Sequence, residues 1–308
     1  MSKVNRNLII AIALLAIAPF VLYPVFLAKV LCFALFALAF NLLLGYAGIL
    51  SFGHAAFLGT GGYITGWAML NTGMSTELAI LLGTAAGAAL GAIYGKLAIK
   101  REGIYFAMIT LALAQLTFFL YLQAPFTGGE NGMQGIPRGE LFGFIDLTNN
   151  LTMYYVVAII FLFGYAVVSR AIHSPFGQVL KAIRENEPRA ISLGYDVNKY
   201  KWVAFVISAA LSALAGSTKT IVFQLASLTD VHWHMSGEVI LMTLVGGVGT
   251  LMGPIVGASL IVTMQNYLST GEMGNYIHII MGFVFVICVL SFRNGIVGQW
   301  NKFKAKNF

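Results

Sequence analysis

Charged residues are scarce in this chain of 308 residues. Asp, Glu, Lys and Arg together make up 9% of it, against roughly 25% in soluble domains. Residues of the set AVILMFWYC supply 59%, and mean hydropathy is +0.85. A water-soluble globule could not cover its surface with so few charges. Soluble enzymes and soluble nucleic-acid-binding proteins are therefore excluded, despite a formal net charge of +7.

Cysteine is equally rare. Cys32 and Cys288 are the two cysteines, and both lie inside apolar stretches. Two such residues form neither a disulfide framework nor a zinc-binding spacing. We expect packed thiols, the usual state of a free cysteine.

Long uncharged stretches are abundant instead: 8–28, 30–76, 78–95, 103–129, 147–169, 202–218, 239–271 and 273–292. Each is close to, or longer than, the about 20 apolar residues with which a helix crosses a bilayer. The sequence predicts an all-α polytopic membrane protein of about ten transmembrane helices. They are placed near 8–28, 30–45, 55–71, 78–95, 104–124, 150–169, 201–222, 237–250, 253–269 and 275–292. Glycine-rich breaks at 45–53 and 246–254 leave re-entrant pieces open as an alternative to full spans.

Glycine recurs every fourth position along one predicted helix, at Gly83, Gly87, Gly91 and Gly95. A face of small residues lets membrane helices approach closely and pack by van der Waals contact. The stripe predicts a tight helix–helix contact and carries no information about a substrate.

The basic residues indicate an orientation. If the N-terminus is cytoplasmic, the 18 Lys and Arg residues all fall on the cytoplasmic side except Lys29, Arg138 and Lys219. This asymmetry is the positive-inside pattern. It predicts cytoplasmic N- and C-termini and cytoplasmic loops at 96–102 and 170–200, with 125–149 and 223–236 facing the periplasm.

The loop 170–200 holds more structure than the others. Ser174-Pro175 is a helix start signal, and the residues from Phe176 to Glu187 are predicted to form a short amphipathic helix. Pro188 interrupts it, and a second short turn is expected to end at Gly194. The loop is either a basic connector on the lipid headgroups or a docking element for a soluble partner.

Several strings in this order resemble the branched-chain amino acid permease family of ABC importers, its LivM-type subunit. They are NLLLGYAGILSFGH at 41–54, GIYFAMITLALAQ at 103–115, TGGENGMQGIP at 127–137, AIRENEPRAISLG at 182–194 and GGVGTLMGPIVGA at 246–258. The string from Glu185 to Gly194 resembles the coupling loop of such permeases, but Pro188 and Arg189 disturb the small residues expected after the glutamate.

The resemblance implies a type II ABC-importer-like permease: one transmembrane domain over 1–308, with a cytoplasmic coupling loop at 170–200. It implies transport of branched-chain or related amino acids across a bacterial inner membrane. The implied partners are a second homologous permease, two ABC ATPases and a periplasmic substrate-binding protein, within membrane lipid and without nucleic acid. The residues expected to couple to the ATPase are Phe176, Gly177, Ala182, Arg184, Glu185, Glu187, Ala190 and Gly194.

No enzymatic activity and no bound cofactor are expected of this chain. A nucleotide-binding loop would need a Gly-x4-Gly-Lys-Ser/Thr pattern. Gly95-Lys96 is followed by Leu97, and Leu90 stands in the place of the first glycine. ATP and Mg²⁺ are therefore expected on the partner ATPases.

Polar residues inside predicted spans are candidates for the translocation pathway. They are Asn41, His54, Gln115, Glu238 and Thr243. Each has an alternative as a helix–helix hydrogen-bonding group, and Glu238 as an acid at a helix N-terminus. His232 and His234 lack an evident third metal ligand, so an interfacial role beside Trp233 is favoured.

Other functions remain open at this stage. A urea or amide permease would fit an uncharged pathway equally well. An ion-coupled secondary transporter should show intramembrane carboxylates, and none of the 11 acids lies convincingly at the middle of the membrane. A membrane enzyme would need a converging catalytic cluster, which the sequence does not show.

Overall fold

The computed structural model describes residues 15–269, 279–284, 286 and 295–306. Cys288, most of the predicted span 275–292 and the start of the predicted span 8–28 lie outside the described residues. Most of the described chain is helical, as the hydropathy pattern predicts.

The helices are α1 (Pro24–Asn41, extended by a π-helical turn at Leu42–Ala47), α2 (His54–Thr72), α3 (Thr76–Ala98), α4 (Gly103–Gln123), α5 (Asn150–His173), α6 (Pro175–Glu185), α7 (Glu187–Ser192), α8 (Val197–Phe223), α9 (Trp233–Gly246), α10 (Gly253–Ser269) and α11 (Gly295–Lys306). Residues 15–21 and 279–284 are also helical. Four strands of two residues each form two antiparallel pairs: β1 (Met133–Gln134) with β4 (Leu225–Ala226), and β2 (Glu140–Leu141) with β3 (Ile145–Asp146).

Five helices of the described chain are long and apolar enough to cross a membrane. They are Pro24–Ala47, Thr76–Ala98, Gly103–Gln123, Asn150–His173 and Val197–Phe223. The protein is a helical membrane protein, and the number of about ten passes stays a prediction.

The first predicted helix boundary is wrong. The sequence placed a break at Lys29, between spans 8–28 and 30–45, but α1 runs through Lys29 without interruption. The break lies at Leu22–Tyr23 instead. Pro24 explains the difference, because proline fits the first turn of a helix, where its missing N–H is not needed, and disfavours helical geometry in the residue before it.

The glycine-rich breaks are where the sequence predicts them. After the π-helical turn, residues 48–53 leave helical geometry and α2 begins at His54. Similarly, α9 ends at Gly246 and α10 begins at Gly253. His54 contacts Ser208, near the middle of α8, so α2 begins well inside the helical assembly.

Helix α8 is the centre of the packing, with α1, α2 and α3 against it. The predicted glycine stripe on α3 faces α8. A Cβ atom added at Gly87 would lie 2.2 Å from the Cβ of Ala213, and one added at Gly91 would lie 2.3 Å from the Cβ of Ala209. The predicted close helix contact is confirmed, because the two backbones approach to a distance that only glycine allows.

The loops gather at two opposite faces. One, here called the loop face, combines 44–52, 99–107, 183–187 and 244–248 around one cavity. The other, here called the hairpin face, combines 72–76, 124–149 and 222–226, since Arg138 bonds to Val222 and β1 pairs with β4. The grouping agrees with the two sides that the charge pattern predicts.

Candidate functional site

The segment 174–194 folds as two short helices. Pro175 occupies the first turn of α6, and Leu180 and Ile183 are buried on one side of it. Helix α6 ends two residues earlier than predicted, at Glu185, because the Asn186 side chain accepts a hydrogen bond from the Arg189 N–H at 3.0 Å and caps α7. Asparagine is a favoured N-cap.

Gly194 ends this unit with φ of +86°. This left-handed conformation is strained for most L-residues and open to glycine. Apart from its two chain neighbours, no residue in the described part of the chain lies within 4 Å of a Cβ built there. The predicted sharp turn at Gly194 is therefore present, and the glycine serves conformation rather than a close contact inside the chain.

Two contacts hold the unit on α8. The Lys201 ammonium, whose residue is 7% exposed, donates to both carboxylate oxygens of Glu187 at 2.7 Å. The rings of Phe176 and Tyr200 stack with centroids 5.7 Å apart. A cation and its carboxylate in this bidentate geometry fix the start of α7 more firmly than an exposed ion pair would.

Arg184 joins α6 to the membrane helices. Its guanidinium donates to the Gly45 carbonyl in the π-helical turn. On the other side of that turn, the Asn41 side chain donates to the Thr250 carbonyl at 2.9 Å and accepts from the Gly249 N–H at 3.0 Å. Both glycine-rich breaks therefore meet in one hydrogen-bonded junction beneath α6.

The junction is tightly packed. A Cβ added at Gly45 would lie 2.3 Å from the Asn41 side-chain oxygen and 2.7 Å from the Gly249 nitrogen. One added at Gly249 would lie 3.2 Å from the Arg184 guanidinium. The π-helical turn, the 247–252 loop and the Arg184 guanidinium are therefore in direct contact at this junction.

The eight residues predicted to couple to an ATPase differ in their exposure. Ala182, Arg184, Glu185 and Gly194 are exposed, Phe176 and Glu187 are half-buried, and Gly177 and Ala190 are buried. A Cβ at Gly177 would lie 2.2 Å from the Ile172 carbonyl oxygen. The exposed members can reach a partner as they stand, whereas the buried ones support the unit from beneath.

A cavity of about 950 Å³ opens between α6 and the loop-face ends of α1 and α4. Its wall is mostly apolar, and its charged members are Arg101, Glu102, Arg184, Glu187 and Lys201. Ile191 in α7 and Leu193 at its C-terminal end are 58% and 66% exposed, so the outward side of the unit presents apolar surface that the sequence alone does not assign.

Three of the five pathway candidates are buried in helix contacts. Asn41, His54 and Thr243 are each 0% exposed, and the Thr243 hydroxyl donates to the Val239 carbonyl at 2.8 Å. A pathway role for them would require the surrounding helices to separate. Gln115 and Glu238 are half-buried, and Glu238 lies in the second turn of α9 rather than at its end.

His54 has a defined tautomer. The Ser208 hydroxyl donates to the Ala39 carbonyl at 2.6 Å, so the His54 Nε2–H donates to the Ser208 oxygen at 2.8 Å. The rings of Phe40 and Phe57 meet the imidazole edge-on at 4.8 and 5.5 Å. This surrounding indicates a packed neutral histidine that ties α2 to α8.

A buried ion pair is the feature that the sequence-based prediction missed. Lys219, inside α8, bonds to Asp230 in the loop that follows this helix. The lone lysine inside an apolar span was the available signal, because such a cation normally has a partner. Asp230 could not be recognised as that partner, since it stands in a loop of the sequence.

His232 and His234 stack with centroids 5.2 Å apart. Loss of hydration on burial, and then the neighbouring His234, lower the pKa of His232. In the described part of the chain no group of three His, Cys, Asp or Glu residues is placed to hold a metal ion. Cys32 is buried at 3% exposure, as expected of a packed thiol.

These features define a polytopic helical membrane protein with a structured loop on one face. A family model described as "Branched-chain amino acid transport system / permease component" matches residues 24–289. The chain therefore belongs to the branched-chain amino acid transport permease family.

Individual relatives agree. The chain is 25% identical over 290 residues to the high-affinity branched-chain amino acid transport system permease protein LivM of Salmonella typhimurium, which covers 86% of this chain and 67% of that protein. The chain is also 25% identical over 301 residues to LivM of Escherichia coli K12, and the match covers 89% of this chain and 70% of that protein. The ribose import permease protein RbsC of Bacillus subtilis is 29% identical over 233 residues, with 73% and 70% covered. No solved structure matches the chain.

Proposed function

We propose that this chain is a transmembrane permease subunit of an ATP-driven importer for branched-chain or related amino acids. It is one type II-like domain of about ten passes in a bacterial inner membrane, with the loop face and both termini in the cytoplasm. Two ATPase chains hold ATP and Mg²⁺, a second homologous permease completes the pathway, and a periplasmic binding protein delivers the cargo.

The junction of Arg184, Gly45, Asn41 and Gly249 carries the proposal. A mere membrane-surface connector has no need for a bond from its helix to the π-helical turn, which the Asn41 side chain links in turn to the second glycine-rich break. Helices α6 and α7, together with the coupling residues Phe176, Gly177, Ala182, Glu185, Glu187, Ala190 and Gly194, act as one rigid unit. Closure of the ATPases displaces this unit, and Arg184 passes the displacement to the π-helical turn.

The periplasmic binding protein determines which cargo is selected as much as this chain does. The pathway is assigned to uncharged polar groups such as Gln115, with Glu238 at its hairpin-face end and Asn41, His54 and Thr243 in the helix contacts that move during transport. Branched-chain amino acids are favoured by the family and the LivM relatives. Urea, short amides and ribose are the alternative cargoes, the last because of the RbsC relative.

An ion-coupled transporter is the second candidate. It would need an intramembrane carboxylate free to bind a cation. Among the residues that the structure describes, Asp230 is the buried carboxylate, and Lys219 is already paired with it. The ATP-driven mechanism is therefore the better supported of the two.

Reconstitution tests the proposal. The full assembly in proteoliposomes, with loaded binding protein outside and ATP inside, should accumulate a radiolabelled branched-chain amino acid. The same liposomes with a panel of urea, amides and ribose identify the cargo class. Uptake that follows an ion gradient and ignores ATP would contradict the proposal, as would ATP-dependent uptake by the chain without its partners.

A further inference from the structure

The hairpin β2–β3 exposes two aromatic rings on the hairpin face. Phe142 and Phe144 are 62% and 77% exposed, although they are among the largest apolar side chains of the protein. Their rings stack with centroids 6.2 Å apart and an interplanar angle of 24°. We call the segment 139–148 the aromatic hairpin.

Phe142 is in a strained conformation. Its φ is +56°, and the following Gly143 has φ of +74°. Two successive positive φ angles are typical of tight hairpin turns, where Asn and Gly are the usual residues. A phenylalanine in this position costs conformational energy and, being exposed, returns none by burial, so the folding of this chain does not account for it.

Hydrogen bonds hold the backbone of the aromatic hairpin, while its two rings are exposed. Leu147 is buried and donates its N–H to the Gly139 carbonyl at 3.3 Å. The Thr76 hydroxyl donates to the Arg138 carbonyl at 3.0 Å, and the Phe142 N–H donates to a Glu77 carboxylate oxygen at 3.3 Å. The two rings therefore stand on a rigid support, which lowers the entropy lost on binding.

The charges around the rings have one sign. In 72–77 and 125–149 the outward carboxylates are Glu77, Glu130, Glu140 and Asp146. The Thr148 hydroxyl, and then its backbone N–H, lower the pKa of Asp146 by hydrogen bonding. Arg138, the basic residue of these segments, donates inward to Asn150 and Val222 at 2.8 and 2.9 Å.

We propose that the aromatic hairpin is the docking anchor for the substrate-binding protein, whose facing surface has an apolar pocket bordered by Lys or Arg side chains. Phe142 and Phe144 fill the pocket, and Glu140 and Asp146 pair with the basic rim. Aromatic side chains on a rigid support are the usual centres of binding energy in an interface. Opposite charge at the rim accelerates association and excludes wrong partners.

A membrane headgroup layer is the less favoured occupant. Aromatic side chains do anchor in that layer, but anionic lipid repels carboxylates, and no exposed Lys or Arg accompanies the rings in 125–149. The proposal rests on the importer function, which supplies the partner.

The test measures binding of the importer's own substrate-binding protein, loaded with amino acid, to the full permease assembly in nanodiscs. Phe144→Ala should raise the Kd by about tenfold or more. Phe142→Asn should do the same while leaving the unfolding temperature equal or higher, because asparagine accepts positive φ. Glu140→Lys with Asp146→Lys should slow association and reverse its salt dependence.

Matched controls are Phe163→Ala, an equally exposed ring on α5, and Glu102→Lys on the loop face. Neither should alter the Kd. Unchanged binding by the Phe142 and Phe144 variants, in an assembly whose ATP-driven uptake is intact, would overturn the docking proposal and leave the function standing. The docking proposal would also be overturned if the Phe142 and Phe144 variants weakened binding of the assembly to anionic vesicles and left binding of the substrate-binding protein unchanged. Failure of the unaltered assembly to take up amino acid with ATP would overturn the function and this inference together.

Discussion

At the scale of single residues, the Lys219–Asp230 pair is a buried ion pair close to the hairpin face. The side chains are 16% and 9% exposed, and the pair ties the loop after α8 to that helix. Removing one member leaves the other as a buried, unpaired charge, which costs far more than losing an exposed pair.

We predict that Lys219→Met destabilises the protein by about 3–5 kcal/mol. Adding Asp230→Asn should recover much of the loss, because no uncompensated charge then remains. Thermal unfolding in detergent, followed by tryptophan fluorescence, measures both, with the exposed Lys100→Met as the control. Equal unfolding temperatures for Lys219→Met and Lys100→Met would show that the Lys219–Asp230 pair contributes nothing to the stability of the protein.

The Glu187–Lys201 pair has a corresponding role on the loop face. We predict that Glu187→Lys lowers substrate-stimulated ATP hydrolysis and uptake together, because it sets two cations against each other at the start of α7. The exchange Glu187→Lys with Lys201→Glu should restore part of both activities. Lys199→Met, in an exposed pair with Asp196, is the control and should have little effect. No recovery in the exchanged variant would mean that Glu187 acts through another contact.

At the scale of elements, the glycine stripe in the sequence predicts the tight contact of α3 with α8. We predict that Gly91→Val lowers the unfolding temperature strongly, because the new side chain must displace Ala209. Gly237→Val in α9 is the matched control, since a Cβ there meets none of the described residues within 4 Å. If the two variants unfold at the same temperature, the glycine stripe does not set the helix spacing.

Local signals predicted most elements well and their mutual contacts poorly. Ser174-Pro175 and Gly194 indicate the limits of the α6–α7 unit, and the glycine runs indicate both helix breaks at the loop face. The predicted boundary at Lys29 is wrong because a single lysine does not interrupt an apolar helix, whereas Pro24 begins one. The bond between Asn41 and Thr250 joins residues 209 apart, and nothing local in either segment could reveal it.

In the candidate site, too, the sequence predicts the local elements but not the contacts between them. The amphipathic pattern of α6 distinguishes its buried positions from its exposed ones, but that pattern does not reveal that Arg184 reaches Gly45. Likewise, the polar residues Asn41, His54 and Thr243 stand out in the sequence for being polar in apolar spans. Only the three-dimensional packing shows that each is already occupied by a helix contact.

At the scale of the whole molecule, the two loop faces should lie on opposite sides of the membrane. We predict that a cysteine at 135 reacts with an impermeant thiol reagent in intact cells, whereas one at 185 reacts only after permeabilisation, because basic loops remain cytoplasmic. Cys32→Ala and Cys288→Ala provide the background. Reaction at 185 in intact cells would reverse the proposed orientation.

The most direct test of the central claim is coupled activity of the reconstituted importer carrying Gly194→Val. At φ of +86° a β-branched residue is strained, so α7 should lose its fixed position relative to α8. Gly194→Asn, which tolerates such angles, is the matched control. We predict that Gly194→Val assembles and binds the loaded substrate-binding protein, yet loses about tenfold or more of both stimulated ATP hydrolysis and uptake, while Gly194→Asn retains most of both. Near-normal stimulated hydrolysis and uptake in Gly194→Val would show that the α6–α7 unit is a membrane-surface connector, and would contradict the account.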